Sequence, residues 1–304
     1  MPVLRIYVKY MICIVTISVI IASRGLALPF DVDRFVSNMK DRNDQTALTG
    51  TIDSLVITRP QVEFRLGPGE LTIFDFGTTR PSAMVYKGKG RFIYTPPDDV
   101  ERGQLAKFTK KESLDEEFEK ITFFFTIELD DFPDTSNFIR EKAAKNAWNI
   151  LADAVDDAFD HLRIHMPNKL IGDLLAGSPG GFFYVDFDNR KIGSLVFMED
   201  PFEDDQFQLI KLARYQGVKF GDVLGGYTPD GSLVSQRGVI PIDITHYKID
   251  SDIEGGGKMM VECRIEFTPL RWGYQFPYFT WYYKNKDISA IDSNGDSLTV
   301  IHRK

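Results

Sequence analysis

The sequence predicts a mainly β protein with one long α-helix, an α+β chain built from antiparallel sheets or sandwiches. Aromatics make up 13% of the 304 residues, with 24 Phe and 12 Tyr, and such side chains suit a pleated, half-buried surface. Short apolar runs separated by turn signals fill residues 47–130 and return from Gly180 to the C-terminus. Only residues 137–165 repeat apolar side chains at three- and four-residue steps.

Taken in order, the chain opens on a basic segment (Arg5, Lys9) and a 14-residue apolar run, YMICIVTISVIIAS. Gly25-Leu26-Ala27 follows with small residues where a signal peptidase reads, and Pro29 lies just beyond. This is the pattern of a secretory leader over 1–27, giving an exported chain that begins at Leu28. The alternative is an uncleaved anchor, for which the run is short of the roughly 20 residues a spanning helix needs.

Residues 28–46 read as a polar lead-in with one helical turn. Strands are expected at 48–57, 61–66 and 71–74, the last two separated by a Gly67-Pro68-Gly69 turn. Two more are expected at 83–86 and 92–94, separated by Lys87-Gly88-Lys89-Gly90. A partly helical polar stretch (100–120) leads to a strongly β run at 121–127. The helix over 137–165 carries Ala144, Trp148, Leu151, Val155, Ala158 and Leu162 on one stripe and is ended by Pro167. A short second helix is expected at 170–176. Strands then follow at 182–187 and 194–198 around an Asp188-Asn189-Arg190-Lys191 turn, and at 207–212, 218–224, 240–249, 259–267, 276–283 and 298–301. The expected divisions are 28–130 (β-rich), 131–178 (helical), 179–239 (β-rich) and 240–304 (a last β domain).

Composition narrows function. A charge of −8 argues against nucleic-acid partners, which need a basic face to displace counterions. Of two cysteines, Cys13 lies in the leader, so Cys263 stands alone in VECRIEF and is expected as a buried, small apolar residue. No disulfide within the exported chain is available to brace it.

Candidate chemistry is sparse. His161 and His165 stand one helical turn apart, a spacing that lets two imidazoles meet one zinc ion. Asp156, Asp157 or Asp160 could complete such a site. Against it, Leu162 occupies the position of the zinc-peptidase base, and His165 extends the apolar stripe. The two histidines are therefore metal candidates beside a structural reading. Asp292-Ser293-Asn294-Gly295-Asp296 opens like a calcium loop, but Ser297 and Arg303 hold its sixth-position glycine and twelfth-position carboxylate sites, so a hairpin turn is expected. The acidic 112–119 run reads as a solvated helix face, and Asp130-Asp131 and Asp204-Asp205 as solvent carboxylates. Arg271-Trp272-Gly273-Tyr274 and Thr280-Trp281-Tyr282-Tyr283 offer a sugar platform or, by default, cross-strand packing. Gly225-Gly226-Tyr227 and Gly255-Gly256-Gly257 read as turns, and no Gly-x-Ser-x-Gly elbow is present. No catalytic or cofactor-binding residue is assigned.

Several stretches carry a resemblance. LTGTIDSLVITRPQVEFRLGPGELTIFDF, SAMVYKGKGRFIYTPPDDVERGQLAKF and LLAGSPGGFFYVDFDNRKIGSLVFMEDP resemble the N-terminal extension of exported bacterial zinc peptidases of the aminopeptidase N type. IDITHYKIDSDIEGGGKMMVECRIEFTPL, with the later turn from Asp292 to Leu298, resembles the opening strands of the β-saddle domain that precedes their peptidase domain. The resemblance implies a non-catalytic N-terminal region that supports a catalytic domain. Zinc is expected only in that domain, whose Gly-x-Met-Glu-Asn and His-Glu-x-x-His segments are missing from this chain; His161 and His165 do not inherit their role. The partner implied is a downstream peptidase domain or another protein. The alternatives are a free-standing exported binding or scaffold protein, and a hydrolase whose site the sequence does not reveal.

Overall fold

The structure, a computed structural model, describes residues 3–22, 32–40, 46–76, 80–129, 132–160, 166–175, 181–200, 203, 205–215, 218–228, 242–254, 258–269, 278–292 and 295–301. Two compact units divide the chain. One comprises Phe30–Leu170 and Pro179–Gln236; the other comprises Met1–Pro29, Ile171–Ser178 and Arg237–Lys304. Each holds one sheet, and every strand pairing described is antiparallel. The mainly β, antiparallel expectation therefore holds.

The first strand, β1 (Val3–Ala22), belongs to the smaller sheet described below. The larger sheet has ten strands: β2 (Thr46–Ile52), β3 (Leu55–Arg59), β4 (Val62–Phe74), β5 (Ala83–Tyr94), β6 (Leu114–Phe125), β7 (Ile139–Lys142), β8 (Phe183–Asn189), β9 (Gly193–Glu199), β10 (Phe207–Tyr215) and β11 (Val218–Tyr227). Their order is β11-β10-β9-β8-β6-β5-β4-β2-β7, with β3 beside β4. Because β6 pairs directly with β8, the 28–130 and 179–239 stretches contribute neighbouring strands to one sheet.

Two expected turns are bulges within long strands. Between Leu66 and Gly69 the β4–β5 register shifts. The slip changes which residues face inward on β4, from Val62, Phe64 and Leu66 to Leu71 and Ile73, so both halves bury their apolar side chains in the same core. The same happens on β6, where Leu114 and Phe118 give way to Ile121, Phe123 and Phe125. Its acidic 112–119 run is thus strand rather than a helix face: Leu114, Glu116 and Phe118 are buried while Asp115, Glu117 and Glu119 are exposed. Tyr86 lies over the β4–β5 bulge. Its hydroxyl is 3.0 Å from the carbonyl oxygens of Gly67 and Lys89 and donates between them. Gly88 is required by this ring: a Cβ there would run into the Tyr86 hydroxyl and stand 2.8 Å from the Pro68 oxygen.

The sheet folds over on itself. Strands lie about 4.8 Å apart, so β4 and β9, four steps apart in the order, would be about 19 Å apart in a flat sheet. Yet the Phe64 ring centroid of β4 is 6.0 Å from that of Phe197 on β9. Phe64 also meets Phe92, Phe123, Phe183 and Phe187, at 5.3–6.3 Å. One curled face thus encloses an aromatic core.

Two helices pack on the other face, while Leu105 of a third belongs to the core around Phe64. The long helix expected over 137–165 is corrected at its start. Ile139–Lys142 is instead the exposed strand β7, paired with β2, because the apolar stripe begins only at Ala147. From there α3 (Lys145–Asp160) buries Trp148, Leu151, Val155 and Ala158. Trp148 meets Phe74 of β4 edge-on at 5.9 Å. A helix α1 (Val32–Lys40) places Phe35 against Phe76, which stacks on Phe74. A helix α2 (Asp99–Thr109) is capped by Asp98, which accepts the Glu101 N–H at 2.9 Å. Pro167 does not end a helix. It sits in the first turn of α4 (Met166–Leu175), where a missing N–H costs no intrahelical bond. Residues 161–165 lie outside the described residues.

The smaller sheet has the order β12-β13-β1-β14-β15, where β12 is Ile242–Glu254, β13 Lys258–Pro269, β14 Tyr278–Ile291 and β15 Ser297–Ile301; β1 also pairs with β15. The apolar run expected as a leader is thus strand β1, between β13 and β14, and residues 23–31 around its expected cleavage point lie outside the described residues. On β13, Val261, Cys263 and Ile265 are buried in alternation with Glu262, Arg264 and Glu266. Among the described residues no helix is long and apolar enough to cross a membrane.

The bulge gives a test. Tyr86→Phe removes the donor shared by two carbonyls and should cost about 1–2 kcal/mol. Gly88→Ala should cost about 2–3 kcal/mol by overpacking. The double variant should cost less than the sum, since the Cβ no longer meets the hydroxyl. Denaturant unfolding of the three variants measures this; additive effects would remove Tyr86 as the reason for Gly88.

Candidate functional site

The densest polar constellation forms where the larger sheet closes on itself. Arg59 ends β3 and Glu199 ends β9. The Arg59 Nε donates to Glu199 Oε2 at 2.7 Å, and its terminal nitrogen contacts the same oxygen. The guanidinium also lies 5.5 Å from the Phe183 ring centroid, a cation–π arrangement in a poorly hydrated place. Burial raises the Glu199 carboxyl above its ordinary value; Arg59 opposes that rise without cancelling it.

Tyr227, at the end of β11, continues the cluster. Its hydroxyl donates to the Pro60 carbonyl, tying β11 to the β3–β4 turn. Its ring stacks between Phe207 at 5.3 Å and Tyr94 at 6.2 Å. Burial pushes both tyrosines well above the ordinary phenol range, and neighbouring acidic groups add to it. The buried Tyr94 hydroxyl has no hydrogen-bond partner among the described residues. Glu101 of α2 accepts the Gly226 N–H at 2.8 Å; desolvation raises this carboxyl, and that bond partly offsets it. Gly225-Gly226 therefore lies in strand β11 rather than in a turn. A Cβ on Gly225 would run into the Tyr94 hydroxyl and stand 3.3 Å from the Glu101 oxygen.

Two further buried ionic groups hold elements together. Lys169 of α4 lies between Asp200 Oδ2 at 2.7 Å and Glu203 Oε1 at 2.6 Å. Glu116 of β6 pairs with Lys111, and Asn189 of β8 lies 3.4 Å away while donating to the Glu117 carbonyl at 2.9 Å. Asn189 Oδ1 also accepts the Lys191 and Ile192 N–H groups, closing the β8–β9 turn.

The residues singled out from the sequence fall elsewhere. His161 and His165 lie outside the described residues, as do Asp130, Asp131, Asp204 and the segment Arg271 to Tyr274. His246 is exposed on β12. Trp281, Tyr282 and Tyr283 lie on β14. Cys263 is buried, and desolvation raises its thiol, which keeps it protonated rather than nucleophilic. The Asp292 carboxylate is used inside its own turn, accepting the Asp296 N–H at 2.9 Å, with Gly295 at φ +89. Among the described residues no group of three or more His, Cys, Asp or Glu is placed to hold a metal ion. Arg59, Glu199 and Tyr227 were not legible as a group, because 140 residues separate the ion pair.

Compared with known proteins, the chain matches no family model, no curated protein and no solved structure.

Arg59→Met should destabilise the protein by about 2–4 kcal/mol at pH 7, below the full cost of breaking a deeply buried pair because some solvent reaches both groups. The sign with pH follows from Glu199. Its raised folded pKa means ionisation costs stability, and removing Arg59 raises that cost. The penalty should therefore shrink as pH falls through the carboxyl's folded pKa. Thermal unfolding from pH 7 to pH 4 checks this; a penalty that grows on acidification would contradict it.

Proposed function

We propose that this chain is a non-catalytic N-terminal region of an exported metallopeptidase similar to aminopeptidase N, a β scaffold that carries a catalytic domain. The observation that supports it best is what the buried ionic groups do. Arg59–Glu199 ties β3 to β9, Glu101 ties α2 to β11, and Lys169 ties α4 to the segment after β9. Each joins elements distant in sequence, which suits a rigid support. The segments that resemble the peptidase extension also coincide with regular elements: 48–76 with β2, β3 and β4, 82–108 with β5 and α2, and 242–269 with β12 and β13. In this reading the smaller sheet begins the β-saddle domain, and zinc chemistry belongs to the domain it supports.

Export by a leader has a structural consequence. Cleavage after Ala27 would remove β1, leaving β13 and β14 to find other neighbours or to take up a strand from elsewhere. The second reading, a free-standing exported binding or scaffold protein, is favoured by one observation: Tyr247, Ile249 and Ile253 are exposed on β12.

An antibody against the larger unit should detect, in the exported fraction of the source cells, a polypeptide longer than this chain. It should begin at Leu28, contain His-Glu-x-x-His and release amino acids from peptides in a chelator-sensitive manner. A species no longer than this chain and without peptidase activity would overturn the proposal in favour of the second reading.

A further inference from the structure

The two sheets treat their edges differently. At the β11 edge of the larger sheet, α2 supplies polar partners: Gln104 donates to the Val223 carbonyl at 3.2 Å, and Glu101 accepts from Gly226. The opposite edge strand, β7, is four exposed residues, three of them charged. Covered edges and short charged edges both discourage strand addition.

The β12 edge is not short, and among the described residues no element is hydrogen-bonded along its outer side. It is 13 residues long and pairs only with β13 among the described residues. Tyr247 and Ile249 stand opposite the buried Ile265 and Cys263, so they continue an apolar face, yet they are 51% and 60% exposed. The alternate residues His246, Lys248, Asp250 and Asp252 share the other face; Lys248 Nζ lies 2.8 Å from Asp250 Oδ2. A bulge at Thr245, between Ile244 and His246, bounds the regular segment on one side.

We propose that β12 pairs antiparallel with β12 of a second copy of this chain, about a two-fold axis at Ile249. In that register Lys248 of each copy faces Asp250 of the other, and His246 faces Asp252. On the apolar face Ile249 meets Ile249, and Tyr247 meets Ser251. Centring the pair on Lys248 or on Asp250 instead sets like charges face to face, and a shift by one residue sets the apolar face against the charged one. The charge pattern therefore selects both the partner and the register. β13 remains the inner neighbour whether or not β1 is retained, and the pairing does not depend on a peptidase domain.

Sedimentation equilibrium of the full chain from about 1 to 100 μM reads the association. A reversible dimer with a micromolar Kd is expected, as for other small interfaces. Lys248→Asp and Asp250→Lys, each placing like charges opposite one another twice, should weaken it about tenfold. The double exchange K248D/D250K should restore the wild-type value. Circular dichroism checks that each variant keeps its fold. A wild type that stays monomeric over this range, or a dimer indifferent to both single reversals, overturns the proposal.

Discussion

The larger unit depends on the burial of Phe64. A ten-stranded antiparallel sheet with one strongly apolar face must cover that face or leave it in water. This one covers it with itself. Phe64 meets rings from β5, β6, β8 and β9, which is possible only if the sheet curls through those strands. The register shifts in the β4–β5 and β5–β6 pairings permit the curl, since each keeps apolar side chains facing inward beyond an irregular point. Tyr86 and Gly88 are the local device that makes the first bulge fit.

Closure creates the polar cluster as a by-product. Once β3 comes over β9 and β11, its end meets groups that cannot be left alone at the seam. Arg59 answers Glu199, and the Tyr227 hydroxyl answers the Pro60 carbonyl. The raised carboxyls of Glu199 and Glu101 are the cost of placing acids in a poorly hydrated seam. Glu116, buried on β6, is likewise met by Lys111 and Asn189. Such groups secure elements to one another, which is the physical content of the scaffold reading.

Strand positions were largely legible because alternation and turn chemistry are local. The β8–β9 hairpin around Asp188-Asn189-Arg190-Lys191 and the β12–β13 pair lie where the sequence predicts them. Several local signals point elsewhere than the structure. Gly67-Pro68-Gly69 has turn composition, yet its flanking strands need a parity change rather than a reversal. The 112–119 run is acidic enough to read as a helix surface, but Leu114, Glu116 and Phe118 alternate. Residues 139–142 lie ahead of a helical stripe that begins only at Ala147, and form an exposed strand instead. The Arg59–Glu199–Tyr227 cluster was not legible, because only the curl of the sheet brings its members together. His161 and His165, the metal candidates from spacing, lie outside the described residues.

The central claim is that both halves of the larger sheet share one cooperative core through Phe64. Native-state hydrogen exchange of Phe64→Ala tests it most directly. The account expects a loss of about 3–5 kcal/mol, with amide protection falling in β8, β9 and β10 as well as in β4 and β5. Loss of protection confined to β3, β4 and β5, with β9 and β10 unchanged, would contradict it.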